Sequence, residues 1–277
     1  MLNLLKYEFL ARRGVIVGWS TGLVLYAGFI ILLFPQFVEP MQNINFADIP
    51  FYEAFGDFSD LASFEGFFVT QLLGYLPILL GVYGIMAGVG ALAGEEDEGT
   101  LELILTLPLK RWQLVTAKAI AIALVILIIL IIMGVSNGLF LEMIRSQIET
   151  ETTFADVTLA TIAAWPLCAF FALLGLWLGA YLPNRKTGNI IGIVVVVYTY
   201  FGNNLGGLME ILEKTQPFMP FYYYQGRDIL ENGIAWGDVG ILLVAAAFCL
   251  LCAILSFQRR NVTVGAWPWA RWVGKTS

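Results

Sequence analysis

Few residues in this 277-residue chain have side chains suited to covalent or metal chemistry. It contains no histidine, which excludes Ser-His-Asp catalysis, H-E-x-x-H zinc sites and haem ligation by imidazole. The three cysteines, Cys168, Cys249 and Cys252, all fall inside long apolar runs. Cys249 and Cys252 share one helical face, but without a further ligand they read as small buried hydrophobes rather than a soft-metal site. Gly274-Lys275-Thr276-Ser277 resembles the close of a phosphate-binding loop, yet Trp269 stands where its first glycine belongs, so the motif is not expected to bind ATP. What remains is one charged passage: Glu95-Glu96-Asp97-Glu98-Gly99-Thr100-Leu101-Glu102, continuing to Pro108-Leu109-Lys110-Arg111.

That passage reads physically as a short helix over residues 95–111 at a membrane surface. Acids crowd its N-terminal side, where the helix dipole favours negative charge, and Gly99-Thr100 offers a start or cap. Leu101, Ile104 and Leu105 form an apolar stripe, with Leu107 beside it. Pro108 stops the helix, and Lys110 and Arg111 follow where cations are favoured. Spacing alone leaves two readings open, an interfacial linker and a device that couples the membrane part to something outside it.

The elements around the passage are set by composition. The chain is 59% hydrophobic and 13% charged, about half the charge of a soluble domain, so the expected fold is an all-α polytopic membrane protein. Six segments are each near or above the ~20 residues that cross a bilayer: residues 15–34, 67–93, 119–141, 159–182, 188–208 and 239–257. The second carries Pro77 and is expected to tilt or kink. Residues 1–13 read as an amphipathic helix on the membrane surface, with Leu2, Leu5 and Phe9 on one face and Asn3, Lys6 and Arg13 on another. The run 15–34 is too long for a signal-peptide core and leads into Pro35-Gln36-Phe37 rather than a small-residue cleavage site.

Basic residues fix the orientation. With the N-terminus inside, the inner segments hold Lys6, Arg12, Arg13, Lys110, Arg111, Lys118, Arg185, Lys186, Arg259, Arg260, Arg271 and Lys275; only Arg145, Lys214 and Arg227 fall outside. The positive-inside rule then places both termini in the cytoplasm. Acids collect on the other side, either as a solvated rim or as a vestibule that concentrates cations. None of the six expected spans contains Asp, Glu, Lys or Arg. Ion-driven pumps place ionisable groups at mid-membrane, so a transporter built this way takes its energy from elsewhere.

The run E-E-D-E-G-T-L-E-L-I-L-T-L-P-L-K-R-W-Q-L-V-T-A-K, residues 95–118, resembles the signature of ABC-2 type permeases. Glu95, Gly99, Thr100, Leu101, Glu102, Pro108, Arg111 and Lys118 stand at matching positions, and Glu98 lies among them. Phe218-Met219-Pro220-Phe221-Tyr222-Tyr223-Tyr224 with Gly226-Arg227-Asp228 resembles the family's aromatic loop before the last span. Phe257-Gln258-Arg259-Arg260-Asn261 resembles its F-x-R-R-D ending, with Asn261 in place of the acid. The likeness covers nearly the whole chain and is nearest to the six-span permeases of antibiotic-export and copper-enzyme-maturation systems.

The resemblance implies a single transmembrane domain, residues 1–277, in the plasma membrane. It further implies a pair of permease chains, homo- or heterodimeric, served by separate cytoplasmic ABC ATPase subunits. ATP and Mg would be held by those subunits, leaving no cofactor in this chain. Residues 1–13 become the elbow helix and 95–111 the coupling helix. The chain is then a transport subunit and not an enzyme, and no nucleic-acid motif competes with that reading. Largely apolar spans imply a hydrophobic or amphipathic substrate among membrane lipids. The alternative is a channel or lipid-scaffolding protein without an ATPase.

A solute path is the least specified part. Thr199 and Asn203, and Tyr200 and Asn204, form adjacent polar stripes on the fifth span. Gln71 and Asn137 lie toward the outer ends of the second and third. These groups either line an outer gate or hydrogen-bond neighbouring helices. Gly-x-x-x-Gly spacings at Gly14/Gly18/Gly22, Gly84/Gly88, Gly90/Gly94, Gly175/Gly179, Gly188/Gly192 and Gly202/Gly206 permit close helix contact, including a dimer seam.

Overall fold

The structure, a computed structural model, describes residues 2–42, 63–97, 110–206 and 214–260. Its regular elements are all helical among these residues. Helix α1 is Leu2–Ala11 and α2 is Arg13–Gln42, with a bend at Arg12 between them. Helix α3 spans Phe64–Asp97, α4 Arg111–Ile144, α5 Phe154–Ile162 and α6 Trp165–Tyr181. Helix α7 is Arg185–Asn204; two short 3-10 turns, Gln216–Phe218 and Pro220–Tyr223, then lead to α8, Gly226–Asn232, and α9, Trp236–Arg259.

Among the described residues, five helical stretches are long and apolar enough to cross a membrane: those beginning at Arg13, Phe64, Arg111, Phe154 and Trp236. The sixth expected span, at 188–208, is where the structure differs. Helix α7 is there, and its 20 residues reach about 30 Å at ~1.5 Å per residue. Asn189, Asn203 and Asn204 dilute its apolar run. It nonetheless packs on α3 and α6 as part of the bundle.

The expected kink in the second span is present and has a definite form. Phe64–Phe68 is followed by a wide π-helical turn, Val69–Leu73, closed by the Gly74 N–H donating to Val69 O at 2.8 Å. A new helical section then starts at Leu76 with Pro77 in its first turn, where the missing N–H costs nothing. A second π turn, Gly90–Gly94, precedes Glu95–Asp97. The fourth span is also broken, by Ala163 and Ala164 ahead of Trp165-Pro166. The Trp165 indole N–H bridges the break, donating to Ala123 O on α4 at 2.9 Å.

Helices α3 and α6 form the centre. A Cβ at Gly88 would lie 2.2 Å from Ala172 O, and one at Gly175 only 2.5 Å from Ile85 O, so backbone meets backbone there. Small residues are what let membrane helices approach this closely. Helix α9 covers α6 on one side, while α4 binds α1, α2 and α5. By contrast, Gly14, Gly18 and Gly22 on α2 face open space.

Helix α1 lies against α4 rather than only on a surface. Phe9 packs on the core as its apolar-face position predicts, and Asn3 and Lys6 are exposed. Glu8, which the amphipathic reading leaves unassigned, is 4% exposed.

Candidate coupling site at the basic end of the bundle

The charge segregation read from the sequence appears as two ends of one bundle. At the basic end, Lys118 sits in the third turn of α4 and is fully buried. Its Nζ lies 2.6 Å from Glu8 Oε1 on α1 and 2.5 Å from Glu95 Oε1 at the end of α3. Arg12 Nη2 completes the chain of charges, 3.3 Å from Glu8 Oε2. Two carboxylates and two cations therefore balance in a low-dielectric place, the condition under which burial of ions is tolerated. Helix α4 starts eight residues before the expected span, which is how a lysine written as flanking the membrane comes to lie inside the protein.

Each of three consecutive acids addresses a different element. Glu95 meets Lys118 of α4; Glu96 Oε2 lies 2.7 Å from Arg260 Nη2, at the end of α9. Asp97 Oδ2 accepts from the backbone N–H of Arg185 at 3.2 Å, in the first turn of α7. A carboxylate at a helix N-terminus is favoured by the dipole and by the unpaired N–H groups there, so Asp97 supplements the Asn184 cap of α7. Within the described residues Glu95–Asp97 continue the helix that begins at Phe64, and the cations of α4 and α9 lie beside the first two of them.

The far side of the passage is also tied down. Arg111, the first residue of α4, donates through Nη1 to Arg260 O at 2.6 Å and Phe257 O at 3.1 Å. Arg260 Nη1 in turn donates to Gly179 O at 2.7 Å and Ala180 O at 3.2 Å. Both guanidinium groups thus satisfy carbonyls that the ends of α9 and α6 leave unpaired. Of the expected coupling residues, Glu95, Arg111 and Lys118 belong to this network. Glu98, Gly99, Thr100, Leu101, Glu102 and Pro108 lie outside the described residues. Glu8, Asp97 and the role of Arg260 were missed from the sequence, because their partners are far away along the chain: Glu8 and Lys118 are 110 residues apart; Arg12 enters only through Glu8, four residues before it.

The six candidate path residues lie on three different helices, α3, α4 and α7. Asn137 is fully buried and its amide donates to Thr161 Oγ1 on α5 at 3.2 Å. Thr199 donates back to Val195 O within α7, and the Asn204 amide donates to Tyr200 O. Asn203 O accepts from Gln216 Nε2 at 2.9 Å, and Gln71 O accepts from the Tyr26 hydroxyl at 3.1 Å. The bonds of Asn137, Thr199 and Asn204 are made by their side chains, and those at Asn203 and Gln71 by backbone carbonyls.

The acidic end carries a cavity of about 660 Å³ lined by Glu65, Glu149, Glu151, Asp156 and Glu231 together with Thr150, Thr152 and Leu230. Glu65 accepts from the hydroxyls of Thr150 and, at 2.6 Å, Thr152. Among the described residues no group of three or more Cys, Asp or Glu is arranged to hold a metal ion.

The sequence is similar to known membrane proteins along most of its length. It is 26% identical over 207 residues to the uncharacterized membrane protein YdbK of Bacillus subtilis (strain 168), covering 69% of this chain and 82% of that one. The family model described as ABC-2 family transporter protein matches residues 2–262. With long apolar helices and a charged cluster gathered at one end of the bundle, the chain belongs to the ABC-2 transporter family and is a multi-pass integral membrane protein, the permease part of an ABC transporter.

Proposed function

We propose that this chain is the membrane subunit of an ATP-driven exporter, docking a separate cytoplasmic ABC ATPase through residues 95–111. The observation that carries this reading is the anchoring of that passage: the residues flanking it on both sides bind α4, α7 and α9 through charged contacts. A passage held in this way can transmit a push to the whole bundle, which a simple linker has no need to do. The basic end faces the cytoplasm by the positive-inside rule, and the spans hold no mid-membrane charge pair that would couple transport to an ion.

The substrate is hydrophobic or amphipathic, in keeping with an interior dominated by apolar side chains. A second permease chain completes the unit. The α2 face bearing Gly14, Gly18 and Gly22 suits that contact, since the Gly84/Gly88 and Gly175/Gly179 pairs are already used inside the chain.

Co-expression with candidate ABC ATPase subunits tests the docking. A stable complex is expected with the parent chain, with loss of the complex or of its ATP hydrolysis on Glu98→Lys or Gly99→Trp. Failure of every ATPase to co-purify, with no effect of either substitution, favours the channel or scaffold alternative.

A further inference from the structure

Arg260 touches both sides of the passage 98–109. Its Nη2 lies 2.7 Å from Glu96 Oε2, just before the passage, and its carbonyl oxygen accepts from Arg111 Nη1 at 2.6 Å, just after it. Its Nη1 holds the open carbonyls of Gly179 and Ala180 at the end of α6. The Glu96–Arg260 pair is largely shielded, with side chains 13% and 10% exposed. One residue at the end of the last span therefore joins α3, α4 and α6 at the base of the passage.

We propose that Arg260 is the positioning residue that ties Glu96 and Arg111, on the two sides of that passage, to the last span, α9. The inference rests on the reading of that passage as the ATPase docking segment. Its physical ground is the planar guanidinium, whose rigid fork fixes direction as well as distance. Nη2 forms an ion pair with the carboxylate of α3 while Nη1 donates to the carbonyls of α6, so a shift of α3 relative to α6 moves or breaks the contact. Lysine, a point charge on a flexible stem, cannot hold both partners in that geometry. Arg259 beside it is exposed and serves as the control.

The test uses the full chain in nanodiscs with its co-expressed ATPase. Spin labels go at Met143→Cys and Gly237→Cys, near the acidic ends of α4 and α9, where the side chain of Met143 is 64% exposed and Gly237 faces open space. Cys168, Cys249 and Cys252 are replaced by alanine. ATP with vanadate is expected to shift the label distance in the parent and in Arg259→Gln. In Arg260→Gln and in Glu96→Gln the shifted population falls about tenfold, while in Arg260→Gln, which lies outside the docking segment, ATP hydrolysis stays within about twofold of the parent. Such a fall corresponds to a ~1.4 kcal/mol change in the balance of states. The double variant is no worse than either single one, as required of two groups acting through one contact, and Arg260→Lys is intermediate. Should Arg260→Gln fail to assemble, Glu96→Gln carries the same test from the other partner. A full distance shift in Glu96→Gln or Arg260→Gln, or additive losses in the double variant, overturns the role of Arg260 alone. An ATPase that never binds the parent overturns the docking reading and this inference with it.

Discussion

Replacing Lys118 by methionine removes a cation with almost no change of volume. At an effective dielectric of about 20, a contact of 2.6 Å between Lys118 and Glu8 is worth ~6 kcal/mol before desolvation. Burial of the ions cancels much of that, so the intact cluster contributes little net stability. The single substitution is different, because it leaves Glu8 and Glu95 facing each other with Glu8 only 4% exposed. Stranding a buried charge in this way costs about 3–5 kcal/mol; Arg12, 3.3 Å from Glu8, keeps the figure toward the lower end. At roughly 2–4 °C per kcal/mol for a chain of this size, the unfolding midpoint should drop by about 10 °C. The combination Glu8→Gln, Glu95→Gln and Lys118→Met strips all three charges and should recover most of the loss. Thermal unfolding in mild detergent, followed with a thiol-reactive dye, reports this directly: Cys168 and Cys249 are buried and become reactive only when the bundle opens. Lys118→Met unfolding at the parent temperature, or a triple variant as unstable as the single one, would refute the claim that the lysine serves to balance the two acids.

Three further outcomes follow from the packing. Gly88→Ala sets a methyl 2.2 Å from a backbone oxygen and should cost at least 1–3 kcal/mol, whereas Gly18→Ala, facing open space, should leave monomer stability unchanged; the same dye assay separates them. Gly18→Cys should form a disulfide between copies in native membranes under mild oxidant and Gly88→Cys should not, as seen on non-reducing gels; equal behaviour would remove α2 as the seam. Asn137→Leu loses one hydrogen bond to Thr161, worth about 0.6 kcal/mol between membrane helices, and should leave transport intact; altered transport at unchanged stability would return Asn137 to the solute path.

Five of the six expected spans were legible from the sequence, because apolar length is a local property. The kink at Pro77 was legible for the same reason, and Trp165-Pro166 carried an equal signal for the break in the fourth span. Two things were not. Glu8 looks like an ordinary polar position on a short helix until Lys118, 110 residues away, is brought beside it. Glu95–Asp97 looked like the start of a helix because acids favour N-termini; within the described residues they continue α3 instead, and the partners they meet come from α4, α7 and α9. Charged side chains with remote partners were therefore the blind spot, and they make up the candidate site.

Neighbouring residues on a helix point about 100° apart, so Glu95, Glu96 and Asp97 sweep most of the circumference of the end of α3. Each meets a different neighbour. The end of α3 is consequently keyed like a splined shaft: turning it by a single residue would mismatch three pairings together, while a sliding or tilting displacement can carry all three neighbours along. A force applied beside these acids would therefore reach α4, α7 and α9 together, through three separate contacts.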